Sequence, residues 1–142
     1  WLRWMESNGP IGGHAIDALV KVNEQQPTAE LRPPSELQTD ESDLMPYEVL
    51  DLIERLAIRD KLMPIEILES LLQHEATNRL NADRQQLIFW IKRFFQLWSR
   101  NQWKRERFAP SFHVDDENLD PKTWCRFPIL SGGFQRELEA LL

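Results

Sequence analysis

The chain has 142 residues, roughly the length of one domain, and its hydrophobic content of 42% argues against wholesale disorder. A net charge of −6 argues against general affinity for nucleic acids or anionic membranes, and the lack of an apolar run of about 18 residues predicts no membrane span. The single cysteine, Cys125, cannot form an internal disulfide, which favours a reducing, cytoplasmic setting.

The N-terminal stretch predicts two short helices. Trp1, Trp4 and Met5 fall on one helical face, and Asn8-Gly9-Pro10 is a typical helix end. The following segment, IGGHAIDALVKV, predicts the second helix. A start at WLRWMES, with neither an initiator Met nor a leader peptide, suggests a piece of a longer protein.

The helical pattern stops between Asn23 and Met45, where prolines and acids replace the apolar residues. Irregular segments of this length are uncommon inside domains, and those that persist tend to be functional lids or linkers. Composition alone favours a solvated linker.

Helical periodicity returns at Pro46, which suits a first helical position and precedes an apolar stripe, and again at Met63-Pro64. The first stripe comprises Val49, Leu50, Ile53, Leu56 and Ala57, and the second comprises Ile65, Leu68, Leu71 and Leu72.

The longest helix is predicted over DRQQLIFWIKRFFQLWSRNQWKRER, capped by Asn81 or Asp83. The apolar face of this helix is wide, which predicts a central helix packed on more than one side. The apolar face consists of Leu87, Ile88, Ile91, Phe94, Phe95 and Trp98, extended by Phe89, Trp90 and Leu97.

A second irregular stretch follows Ala109-Pro110, and FQRELEALL predicts a short last helix. Ser131-Gly132-Gly133, just before that helix, resembles a phosphate-binding loop, but too few residues follow it to build a supporting sheet. We interpret it as a structural turn. With no strand pattern and no repeat, the sequence predicts an all-α, irregular helical bundle.

Basic residues cluster at the end of the long helix, and two interpretations stay open. Cations there complement the helix dipole on a solvated face, but their local density also suits a phosphate or pyrophosphate site. The cluster consists of Lys92, Arg93, Arg100, Lys104, Arg105 and Arg107. The acids lack a calcium-loop register and the three histidines lie far apart, so we predict no metal site.

Two segments together resemble the NAD synthetase family, in its long, glutamine-dependent bacterial form. QPTAELRPPSELQTDESDLMPYEVLD resembles the Pro-Thr-Ala-Glu-Leu motif, the acidic Gln-Thr-Asp-Glu loop and the Pro-Tyr helix that follow the family's catalytic core. FFQLWSRNQWKRERFAPSFHVDDENLDPKTWCRFPILSGGFQREL is similar to the C-terminal end of its long members. The similarity covers most of the chain, from about Gln26 to Leu138.

The resemblance implies a reaction in which ATP adenylylates the nicotinate carboxylate of deamido-NAD, and ammonia from glutamine then displaces AMP. It assigns Thr28 to ATP and Trp103 and Lys104 to deamido-NAD, with Arg105 supporting the same anionic ligand. A mobile lid at about residues 25–45 would cover the active site, with Asp40 and Glu41 as its signature acids.

The family's pyrophosphate loop, parallel sheet and glutaminase domain are absent from these 142 residues. The resemblance therefore implies that the whole chain, 1–142, is the C-terminal helical part of a parent α/β domain of the adenine nucleotide alpha-hydrolase type. ATP and Mg would bind the parent, with no tight cofactor binding and no catalytic residue in this segment. Exposed apolar faces predict self-association into a homo-oligomer. The alternative is a helical protein-interaction module whose long loop is an unstructured linker.

Overall fold

The computed structural model describes residues 1–10, 13–26, 33, 38–107, 120–125, 127 and 132–142, excluding the side chains of residues 105 and 106. Over these ranges the regular structure is helical and contains no strand, which confirms the all-α prediction. The chain divides into two compact units, Trp1–Asp43 and Leu44–Leu142. No helix in the described part of the chain is long and apolar enough to cross a membrane.

The first unit contains short helices held together by polar contacts. Helix α1 (Leu2–Asn8) ends at Gly9, as predicted, where φ is +68° and an added Cβ would lie 1.9 Å from a backbone oxygen of His14. A 3-10 turn (Asp17–Leu19) leads into α2 (Val20–Asn23), so the second predicted helix is shorter than its segment. The side-chain amide of Asn23 donates a hydrogen bond to Glu6 Oε2 at 2.7 Å, which links α2 to α1.

The second unit contains the hydrophobic core and most of the helical residues. Its elements in chain order are α4 (Tyr47–Glu54), a π-helical turn (Arg55–Arg59), α5 (Pro64–Leu72), α6 (Glu75–Arg79), α7 (Arg84–Arg100), α8 (Gln102–Glu106) and α9 (Gln135–Glu139). Helix α3, Asp40–Asp43, is the last element of the first unit.

Helix α7 is the central helix, as the sequence predicted. Its six predicted core residues are all buried, and it packs against α5 and α4. Asp83 is the cap, because its side chain accepts a hydrogen bond from the Gln86 amide at 2.7 Å. Phe89 does not extend the core, since it is 58% exposed, whereas Trp90 packs partly against it.

The predicted stripe on α5 is half right, because Leu68 and Leu71 are buried as predicted. Ile65 and Leu72 are exposed, and Ile67 is completely buried. Pro64 is the first residue of α5 and is itself buried, so the inward face continues from it at intervals of three and four residues. Those buried positions are Pro64, Ile67, Leu68 and Leu71.

Two helix boundaries also differ from the prediction. Pro46 lies one residue before α4, in an extended conformation with ψ of 134°, rather than inside its first turn. The long basic helix is interrupted at Asn101, and α8 restarts immediately after it. Both boundaries depend on local turn geometry, which the spacing of apolar residues does not predict.

Candidate functional site

The predicted deamido-NAD residues lie on α8, directly after the break at Asn101. The Lys104 amide donates to the Asn101 carbonyl at 2.9 Å, which starts the new turn. Trp103 is 55% exposed, with the Lys104 Nζ atom 5.9 Å from its ring centroid. The structure therefore brings Trp103 and Lys104 together on an accessible surface.

Arg107 completes this cluster, with its guanidinium carbon 5.7 Å from the same ring centroid. An indole ring attracts cations through its negative face, so both side chains are held near the ring by cation–π interactions. An exposed aromatic ring flanked by two cations suits a ligand that carries an aromatic group and an anionic group. The three residues Trp103, Lys104 and Arg107 form the indole cluster.

Two other predicted site residues lie outside what the structure describes. Thr28 belongs to the range 27–32, and for Arg105 the structure describes the backbone in α8 but not the side chain. Their assignments to ATP and to deamido-NAD stay predictions.

The acidic end of the predicted lid is a helical turn, although the sequence pattern suggested an irregular loop up to Met45. Asp40 and Glu41 begin α3, where Asp40 is half-buried and Glu41 is exposed. The hydroxyl of Thr39 accepts from the Ser42 amide at 3.0 Å, and the Ser42 hydroxyl accepts from the Thr39 amide at 3.2 Å. This reciprocal capping gives a short acidic segment the hydrogen bonds that its helix start otherwise lacks.

A groove of about 610 Å³ runs between α7 and the turn before α9. The α7 wall carries Lys92, Gln96, Ser99 and Arg100, which the helical period places on one face. Gly132 and Gly133 form the opposite edge with Phe134, and Gly133 has a φ of +56°. For these two glycines the structure confirms a turn that starts the last helix; Ser131 lies outside the described residues.

A smaller pocket of about 260 Å³ lies between α4, the π-helical turn and α7. Its one acidic side chain is Glu54, whose pKa is raised by burial and, to a smaller extent, by the charge of Asp51. The wall is otherwise largely apolar, lined by Leu44, Met45, Leu50, Ile58, Phe94, Leu97, Trp98 and Asn101.

Over the described ranges, no three His, Cys, Asp or Glu side chains are grouped to hold a metal ion. Cys125 is a buried thiol outside any disulfide. The Lys61 Nζ atom lies 4.2 Å from the Phe127 ring centroid and 5.9 Å from that of Trp124. Lys61 therefore makes cation–π contacts with rings on both sides of Cys125.

No family model matches the chain, and no curated protein matches it at a significant level. Among solved structures it matches the crystal structure of a glutamine-dependent NAD(+) synthetase from Cytophaga hutchinsonii, with 40% sequence identity and a TM-score of 0.71. The match covers 99% of this chain. The chain is similar to a segment of a glutamine-dependent NAD(+) synthetase.

The resemblance proposed from the sequence motifs is thereby confirmed. The chain spans only 19% of the synthetase relative's length, and the match is consistent with a C-terminal segment of such an enzyme. The match extends over 99% of the chain and therefore beyond the two motif segments.

Sequence reasoning did not pair Arg107 with Trp103, although a spacing of four residues places two side chains on the same helical face. Nothing in the local sequence marks the Ser99 hydroxyl as unusual. Only the packing of the 132–134 turn over α7 creates the groove that Ser99 borders.

Proposed function

We propose that this chain is the C-terminal helical part of a synthetase domain that makes NAD from deamido-NAD. In this reaction ATP adenylylates deamido-NAD, and glutamine-derived ammonia then displaces AMP, in a reducing, cytoplasmic setting. The proposal is supported by the 40% identity to a glutamine-dependent NAD(+) synthetase over 99% of the chain. ATP and Mg belong to the parent enzyme, and the segment alone binds neither tightly.

The indole cluster is the part of the ligand site that this segment supplies. Its exposed ring can stack on an aromatic group of deamido-NAD while Lys104 contacts an anionic group, and Arg105 supports the same ligand. Thr28 contacts ATP. Residues 25–45, with Asp40 and Glu41, form the lid that excludes water from the reactive acyl-adenylate.

The test is substitution of Lys104 by Met in the complete gene product that contains this chain. A charge-assisted hydrogen bond contributes about 1.5–3 kcal/mol, so the KM for deamido-NAD should rise roughly 10-fold to 100-fold. The KM for ATP should change far less in Lys104→Met and should rise instead in Thr28→Ala. Lys21→Met, which removes an exposed cation from α2, is the matched control.

Two results would count against the proposal. One is unchanged synthetase kinetics in both Lys104→Met and Thr28→Ala. The other is formation of NAD from deamido-NAD by the isolated 142-residue chain, because that activity would require the catalytic core within this segment.

The exposed aromatic residues favour a second candidate function, a helical interaction module. Phe89 and Trp103 are both more than half exposed, and burial of such rings is a common source of association energy. In this role the chain docks a partner through its aromatic surface. A raised KM for deamido-NAD in Lys104→Met would reject this candidate in favour of the synthetase role, and light scattering at high concentration tests the predicted self-association of the chain.

A further inference from the structure

Ser99 differs from other helical serines of this chain in the hydrogen bonding of its hydroxyl. Ser7 and Ser70 each donate to the carbonyl four residues earlier, at 3.3 Å and 2.9 Å. The Ser99 Oγ atom is shielded from solvent and has no hydrogen-bond partner among the residues that the structure describes. A buried hydroxyl without a partner is unfavourable, so it marks a place where a bound group would gain a ready donor.

The 132–134 turn shields this hydroxyl without bonding to it. A Cβ built on Gly133 would lie 3.8 Å from Ser99 Oγ, which places the turn directly beside the hydroxyl. Both border the groove of about 610 Å³. Rotation about χ1 moves the Ser99 hydroxyl oxygen, and rotation about the Cβ–Oγ bond redirects its hydrogen, so Ser99 can turn toward an acceptor that enters this groove.

Two cations flank Ser99 on the same helix. Arg100 follows it directly, and Lys92 lies eight residues before Arg100, which is about 12 Å along the helix axis. Their long side chains can approach one another over the groove. The opposite wall carries one acid, Glu139, whose carboxylate accepts a hydrogen bond from the side-chain amide of Gln135 at 2.9 Å.

We propose that this groove binds a phosphorylated ligand, with a phosphate group between the Ser99 hydroxyl and the Arg100 guanidinium. Lys92 contacts a second anionic group of the same ligand. A phosphate offers several acceptor oxygens to one hydroxyl donor and one guanidinium, and Arg binds it bidentately. The site uses no residue of the indole cluster and does not depend on the proposed synthetase function.

The positions of the charges indicate a diphosphate rather than a single phosphate. Two cations separated along the helix can each contact one phosphoryl group, whereas one phosphate satisfies only one of them. Glu139 repels an anion, so its replacement by Gln should tighten binding. Inorganic pyrophosphate should therefore bind more tightly than inorganic phosphate.

The experiment is a titration of the 142-residue chain, labelled with nitrogen-15, with inorganic phosphate, inorganic pyrophosphate and ADP. Saturable shifts are expected at the amides of Ser99, Gly132 and Gly133. Ser99→Ala should weaken pyrophosphate binding about 5-fold to 10-fold without lowering the melting temperature, because its hydroxyl has no intramolecular bond to lose. Arg100→Gln should weaken it at least about 10-fold.

Arg84→Gln is the matched control, since Arg84 is exposed on the first turn of the same helix. Its affinity should equal that of the parent chain. Equal weakening in Arg84→Gln and Arg100→Gln, no saturable shift with any of the three probes, or unchanged pyrophosphate affinity in Ser99→Ala would each overturn the proposal. Comparison of ADP with pyrophosphate then shows whether the ligand is a nucleotide or a free diphosphate.

Discussion

Replacement of Phe95 by Ala should destabilise the second unit more than any surface change on α7. Phe95 is 1% exposed, and its ring lies 4.6 Å from that of Phe134, in an edge-to-face arrangement. It also contacts the rings of Phe94 and Trp98, at 5.4 Å and 5.8 Å between centroids. The contact with Phe134 joins the central helix to the turn that precedes α9.

The expected loss is about 4 kcal/mol, because truncation of a buried Phe to Ala costs about 3–5 kcal/mol in lost burial and cavity formation. Each aromatic pair adds about 0.5–1.5 kcal/mol beyond burial, so the three ring contacts favour the middle or upper part of that range. The loss would approach the lower end, about 3 kcal/mol, if Phe134 moves into the vacated space.

Urea denaturation followed by tryptophan fluorescence measures this loss. With an m-value of about 2 kcal/mol per molar, a loss of about 4 kcal/mol lowers the midpoint by about 2 M. Phe89→Ala is the matched control, because Phe89 lies on the same helix but is 58% exposed, so its effect should stay within about 0.5 kcal/mol. Equal losses in the two variants would refute the assignment of Phe95 to the core.

Two further predictions concern a helix cap and a buried carboxyl. Asp83→Ala removes the acceptor for the Gln86 amide and should cost about 1 kcal/mol in denaturation, whereas Asp83→Asn should be nearly neutral; equal effects of the two would contradict the cap. Burial, aided by Asp51, raises the pKa of Glu54 above its ordinary value of 4.5, so the folded state holds the proton more tightly and ionised Glu54 reduces stability at higher pH. Glu54→Gln should therefore raise the melting temperature at pH 7 and lose that gain below about pH 4.5, and a lower melting temperature at pH 7 would contradict this sign.

The candidate site could be predicted only in part, because short motifs specify the identity of residues but not their spatial arrangement. The sequence selected Trp103 and Lys104, and the structure places both on an exposed helix with the lysine near the indole ring. The break at Asn101 was not predictable from apolar spacing, yet because of it these residues lie on α8 rather than on a continuation of α7. The groove at Ser99 depends on residues more than 30 positions apart, and local patterns contain no information about such a contact.

The sequence by itself determined the helical class, the six buried positions of α7 and the proline start of α5, and it narrowed the cap of α7 to Asn81 or Asp83. These features follow from the 3.6-residue period and from the hydrogen bonds that helix ends require, both of which are local. Tertiary structure decided which apolar residues stay outside, because Ile65, Leu72 and Phe89 have the hydrophobicity of core residues but are exposed. It also decided the pairing of α7 with the 132–134 turn, since burial depends on which distant segments pack together.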